Sequence, residues 1–171
     1  EKWNNDCFII TIDDDTVYNK YLIENLINDY YKNKCIIGYR GFTPKFNKFI
    51  NFDYKKKEVL KNKNLFNFLT GKGGILYKPK FFHKTNNLIF NENIYLNICS
   101  KQDDIWFYIV RILNNIDCYI SNKKYMDIDN TQKKSLFYQF NCNNNNTIIF
   151  KKIIEELKKK YIDYYTILSN I

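Results

Sequence analysis

A chain of 171 residues, 45% hydrophobic and 26% charged, is long enough for one domain with its own core and too short for two. Its net charge of +9 raises nucleic acid or an anionic surface as partners, yet every basic residue except Arg40 and Arg111 is lysine, scattered along the chain. Lysine lacks the planar fork that grips phosphate and guanine, so no nucleic-acid partner is expected; a field favouring an anionic substrate remains.

In chain order, Cys7 to Ile12 is a short β-branched run that stops at Asp13-Asp14-Asp15. It predicts a buried strand delivering carboxylates at its C-terminal end, where open α/β sheets place ligands. Apolar residues recurring from Val17 to Tyr31 predict an amphipathic helix with Asp15 or Thr16 as N-cap. Cys35 to Tyr39 reads as a second buried strand before an Arg40-Gly41 turn. Strand, helix and strand over this length predict one βαβ unit with a parallel pair. Thr43 to Asn64, polar and lysine-rich, predicts a loop. Asn93 to Cys99 and Asp104 to Leu113 predict helices, Ile116 to Ile120 a strand, and Thr147 to Ile167 one lysine-rich amphipathic helix. A single domain is expected over residues 1–171, with a catalytic part at 1–140 and a C-terminal helix within 141–171.

Three constellations could carry chemistry. Consecutive aspartates repel, so clustering them at the edge of a core costs stability unless a cation is present. On an extended backbone Asp13 and Asp15 point to one side and Asp14 to the other, a pair suited to Mn²⁺ or Mg²⁺. A helix cap with extra acid facing the dipole is the alternative. Next, three of five glycines fall at Gly71, Gly73 and Gly74. The spacing fits neither phosphate-loop pattern; it reads as a tight turn, or as bare backbone that lets a substrate lie close. Finally, Asp103-Asp104-Ile105-Trp106 opens a helix. The acids suit the helix dipole or a general base, and Trp106 suits the core or a sugar face. His83, the only histidine, is read as structural or exposed, which leaves no second histidine for a triad. Arg40 suits either a diphosphate or a surface ion pair.

Five cysteines, far apart and without a C-x-x-C pair, argue against a zinc site or a disulfide framework and predict reduced thiols in the cytoplasm. No run approaches the roughly 20 apolar residues of a membrane span.

Taken in order, I-I-T-I-D-D-D-T-V-Y, I-I-G-Y-R-G, F-L-T-G-K-G-G-I-L-Y-K-P, D-D-I-W-F and D-N-T-Q-K-K-S-L resemble bacterial family-two-type glycosyltransferases of the GT-A fold. The resemblance covers roughly Cys7 to Leu136. It implies an α/β, Rossmann-like mixed sheet flanked by helices. Asp13 and Asp15 would stand as the D-x-D pair whose Mn²⁺ or Mg²⁺ bridges the diphosphate of a nucleotide-sugar, UDP-linked by expectation. Asp14, Gly73, Gly74, Trp106 and Arg40 would line the substrates. Asp104 would be the base that deprotonates the acceptor hydroxyl with inversion, and Asp103 its reserve.

Such domains carry an upstream βαβ portion that holds base and ribose, whereas only six residues precede the first strand here. An incomplete domain is therefore expected, completed by an N-terminal segment or a partner chain. The expected function is sugar transfer to a glycan hydroxyl, in the cytoplasm or at the inner face of a membrane to which the chain attaches peripherally. The alternatives are a non-catalytic GT-A remnant that binds carbohydrate or a partner protein, and a metal-dependent nuclease or phosphotransferase.

Overall fold

A computed structural model describes residues 6–14, 16–121 and 144–171. Strand β1 (Ile9–Thr11) leads through a loop to helix α1 (Leu22–Asn33), then β2 (Ile36–Gly38) and β3 (Gly41–Pro44). After β4 (Lys57–Glu58), β5 (Lys63–Asn64), β6 (Phe68–Leu69) and β7 (Ile75–Tyr77) come two short helices, α2 (Asn86–Ile89) and α3 (Glu92–Tyr95). Helix α4 (Asp103–Leu113), β8 (Cys118–Ile120), α5 (Asn145–Lys160) and α6 (Ile162–Ser169) complete the described residues. The class is mixed α/β, as expected. No described helix is long and apolar enough to cross a membrane.

Among the described residues five strands form one sheet in the order β1-β7-β2-β8-β5, and three form a second, β4-β3-β6. The expected parallel pairing of the first two strands is corrected. Strand β7 lies between them, antiparallel to both, with Leu76 opposite Ile10 on one side and Ile37 on the other. The parallel partner of β2 is β8. Burial explains the order: Ile75, Leu76 and Tyr77 are all buried, and a strand apolar on both faces belongs inside the sheet. In β1 no residue is fully buried, which suits an edge.

Helices cover both faces of this sheet. Tyr30 of α1 packs edge-on against Phe8, with ring centroids 4.9 Å apart. That is the face of Phe8, Ile10 and Leu76, because alternate residues of a strand share a side. Tyr77 points to the other face, where its ring meets Phe107 of α4 at 5.1 Å. Helix α4 is apolar nearly all round and is buried accordingly, from Ile105 to Leu113 except for the half-buried Phe107.

Three further expectations change. Helix α1 starts later, at Leu22, with Tyr21 and not Thr16 at its cap; the other expected cap, Asp15, lies outside the described residues. An Asn19 turn starts it instead, the side-chain oxygen accepting from the Tyr21 N–H at 2.9 Å. The predicted loop from Thr43 to Asn64 holds strand segments and the buried Phe49 and Phe52. These rings pack on Phe150 of α5 at 5.4 and 4.7 Å, so this excursion helps build the core. The single C-terminal helix is two, broken at Tyr161, whose φ of −138° is not helical. The Thr-Gln stretch, Thr131-Gln132, lies outside the described residues.

Candidate active site

Three remote segments meet at Gly71. The first is the end of β1, where the exposed Asp13 and Asp14 follow Thr11 and Ile12. The second is the loop between β6 and β7. The third is the first turn of α4, carrying Asp103 and Asp104. The Gly71 amide donates to Asp104 Oδ1 at 2.9 Å. A Cβ placed on Gly71 would lie 3.2 Å from that oxygen and 3.6 Å from Asp13 Oδ1. Two carboxylates thus face one bare α-carbon.

A phenol ties the first two segments together. Tyr18 Oη accepts from the Asp13 N–H at 2.8 Å and donates to the Lys72 carbonyl at 3.1 Å. The acid loop is thereby fixed to the glycine loop by one side chain. Nothing in the sequence singles out Tyr18, because the apolar spacing there predicts a helix.

The glycines divide the work. At Gly73 a Cβ would fall 2.5 Å from Arg40 Cβ and 2.6 Å from Arg40 N, so the loop is pressed against the end of β2. Gly74 has φ of +81°, a conformation other residues rarely adopt, and its carbonyl accepts from the Tyr39 N–H at 3.3 Å. Thr70 N–H in turn donates to the Arg40 carbonyl at 3.0 Å. Among the described residues, the Thr70 hydroxyl is buried without a hydrogen-bond partner, one position before Gly71.

The electrostatics single out Asp104. Burial pushes its carboxyl up to about 8, and the negative charges of Asp103 and Asp13 push the same way. The Gly71 N–H and the Arg40 guanidinium oppose the rise without reversing it. Asp103 is exposed and Asp104 half-buried, so the two acids of the pair differ in environment. Burial first and then Asp104 raise the phenols of Tyr54 and Tyr77, two further residues at this site that the sequence reading did not single out. Aromatic residues are too common in this chain to have marked them.

The remaining candidates sort as follows. Arg40 is exposed, with its charge felt by both Asp104 and Tyr54. Trp106 is buried in the core, and its indole N–H donates to the Ile89 carbonyl at 3.1 Å. Of its two readings, packing is the one its position fulfils; a buried ring offers no face to a sugar. His83 is exposed, its Nδ1 3.0 Å from the Lys80 carbonyl. Asp15 lies outside the described residues. Among the described residues, no three His, Cys, Asp or Glu side chains group as a metal site. Cys7, Cys35, Cys99 and Cys118 are free thiols.

Two carboxylates facing one point repel, and the upward shift at Asp104 records part of that repulsion. A carboxylate pair is the kind of hard oxygen donor that a divalent cation takes, and among the described residues no third His, Cys, Asp or Glu joins it as a metal group. Comparison with protein-family models, with curated proteins and with solved structures gives no match.

Proposed function

We propose that the chain is the catalytic part of a metal-dependent, inverting glycosyltransferase of the GT-A type. It would move a sugar from a nucleotide-sugar to a glycan hydroxyl. One observation carries the reading: Asp13 and Asp104, remote in sequence, face the same bare glycine. The motif order suggests that meeting in advance, and a chain with unrelated acid runs would have no reason to produce it.

In this reading Asp13 and Asp15 hold Mn²⁺ or Mg²⁺, with Asp14 beside them. Bound there, the ion supplies Lewis-acid stabilisation of the departing nucleoside diphosphate. Asp104 takes the proton of the acceptor hydroxyl at its free carboxylate oxygen, while Oδ1 stays fixed by the Gly71 N–H. A base whose proton affinity is raised towards neutrality is a stronger proton acceptor than an ordinary carboxylate. Arg40 favours the ionised form and lies where an anionic leaving group would benefit from it. Gly71 leaves room between the acids. Trp106 has no part in binding the acceptor; it packs in the core and ties α4 to the Ile89 carbonyl.

The test is thermal unfolding of the chain with Mn²⁺ and a panel of nucleoside diphosphates. Stabilisation that needs both the ion and one diphosphate, and that is lost on Asp13→Asn, supports the reading. A flat response to every diphosphate removes donor binding by this chain. Metal-dependent cleavage of an oligonucleotide, abolished by Asp13→Asn, would favour the nuclease alternative.

A further inference from the structure

The segment between β3 and β5 carries a second feature, independent of the acids. Residues 45–63 hold seven lysines against two acids, Asp53 and Glu58. At the tip of this excursion Val59 is 86% exposed and Leu60 42%. An exposed Val–Leu pair has no use in the core and costs solubility.

The lysines share one small sheet with that tip. Strand β4 pairs with β3, setting Lys57 opposite Pro44. The Lys45 N–H donates to the Lys56 carbonyl at 2.9 Å, so these two lie side by side. Beyond the tip the Lys61 N–H donates to Thr43 Oγ1 at 2.9 Å, which returns the chain to the same strand. Lys57 Nζ lies 4.3 Å from the centre of the half-buried Phe42 ring, which stacks on Phe68. Glu58 is engaged by Lys61 at 2.7 Å, and the exposed Lys45, Lys55 and Lys56 lie at the other end of β4.

We propose that the Val59-Leu60 tip, together with the exposed lysines of the same excursion, is a docking surface for an anionic lipid bilayer. The two apolar side chains enter the interface and the lysines face the headgroups. Peripheral attachment takes two signals, a modest apolar insertion and a basic patch, and both are present within one short excursion. A nucleic acid would use the charge and leave the apolar tip unexplained. Tyr54, whose phenol feels the charge of Asp104, lies within the excursion with Lys57 Nζ 5.6 Å from its ring, so the bilayer would lie near the acid site. The proposal does not rest on the glycosyltransferase reading.

The test is co-sedimentation of the full chain with vesicles of phosphatidylcholine alone or mixed with phosphatidylglycerol. Binding is expected to the mixed vesicles only. It should fall roughly tenfold or more in Val59→Asp/Leu60→Asp, and again in Lys55→Gln/Lys56→Gln/Lys57→Gln. An equal charge change on α5, Lys151→Gln/Lys152→Gln/Lys159→Gln, should leave binding within about twofold. If the two lysine sets act alike, net charge alone is responsible and the docking surface is refuted. Failure to bind anionic vesicles refutes it too, as does an unaltered affinity in the double aspartate variant. Tighter binding to duplex oligonucleotide, weakened by the same tip variants, would overturn it in favour of nucleic acid.

Discussion

The Gly71 amide donates to Asp104 Oδ1 at 2.9 Å, so the glycine loop and the first turn of α4 are joined by a bond from backbone to carboxylate. The bond fixes one oxygen of Asp104 and leaves the other available. It also works against the surroundings, because burial, Asp103 and Asp13 all disfavour the charge that this bond prefers. Asp104 is therefore held in a geometry suited to its ionised form by a site that resists ionisation.

Asp104→Asn should separate stability from activity. In the unfolded chain the carboxyl has its ordinary value of 3.8, and in the folded chain about 8. The folded state thus keeps a proton that the unfolded state has released. Stability falls as pH rises between those values, and the loss is complete above pH 8. The amide cannot ionise and still offers Oδ1 to Gly71. At pH 8 without metal the variant should be more stable by about 2 kcal/mol, an amount discounted for the half-exposed site, with the gain vanishing near pH 4. Transfer should drop roughly 100-fold or more. Melting curves at pH 4, 6 and 8 and a transfer assay check the two halves. Mn²⁺ should stabilise the wild type more at pH 8 than at pH 5.

Alanine at Gly71 and at Gly73 should fail differently. At Gly71 the new methyl meets only two carboxylate oxygens, both on side chains that can turn. The fold should lose less than about 1 kcal/mol, while Mn²⁺-dependent stabilisation and transfer both decline. At Gly73 the methyl meets Arg40 backbone, which cannot retreat without moving the end of β2. A loss of about 2–3 kcal/mol is expected there. Denaturant unfolding beside a Mn²⁺ titration distinguishes them.

The site was legible in the sequence where chemistry leaves a local mark. Acids at the end of an apolar run, glycines crowded in a glycine-poor chain and an acidic pair opening a helix each stand out along the chain. The three that meet, Asp13, Gly71 and Asp104, all lie within those segments, although the resemblance points to Gly73 and Gly74 and not to Gly71. What periodicity does not encode is which strand neighbours which. A run such as Ile75-Leu76-Tyr77 is buried on both faces wherever it lies, so its insertion between β1 and β2 left no signature. Tyr18 was hidden for another reason. Its role depends on a loop conformation, and the apolar spacing from Val17 onward imitates a helix that begins only at Leu22. The excursion after β3 looked like solvent-facing loop because its buried Phe49 and Phe52 sit among lysines. Trp106 is readable two ways, and its burial together with its bond to the Ile89 carbonyl separates them.

Tyr18→Phe removes one hydroxyl that serves two backbone groups, the Asp13 N–H and the Lys72 carbonyl. Both are near solvent, so the direct loss should be about 1 kcal/mol. The larger consequence should fall on the position of Asp13. The apparent affinity for Mn²⁺ is expected to weaken roughly tenfold, a coupling typical of groups that orient a ligand carboxylate. Isothermal titration with Mn²⁺ measures it. An unchanged affinity would show that the acid loop holds its shape without the bridge.

Trp106→Phe tests whether the ring supports the helix or the acceptor. The change leaves the Ile89 carbonyl without its donor at 3.1 Å and vacates part of the indole volume. A loss of about 2 kcal/mol is expected from the two effects together. Well below the melting temperature, transfer by the folded fraction should stay within about twofold of wild type. A selective rise in acceptor KM would restore the sugar-facing role.

Arg111 sits on the same helix as Asp104, two turns further on, and is buried. Its guanidinium donates to three carbonyls, those of Leu65 and Ile116 at 2.6 Å and of Asn67 at 2.5 Å. Two of these belong to the segment that runs directly into β6 and the glycine loop. The guanidinium therefore sets the position of that loop against the helix that carries Asp104. Arg111→Met keeps most of the side-chain volume, removes the guanidinium from three carbonyls and leaves that of Asn67 only the weak Cys118 thiol at 3.4 Å, so a loss of about 3 kcal/mol is expected. Arg111→Lys should recover only part of it, since an ammonium is a point charge and the fork reaches partners on two sides. If the positioning argument holds, the lysine variant keeps its fold at 25 °C but shows weaker hydrogen-exchange protection at the Gly71 amide. Protection equal to wild type at that amide would confine Arg111 to stabilising the core.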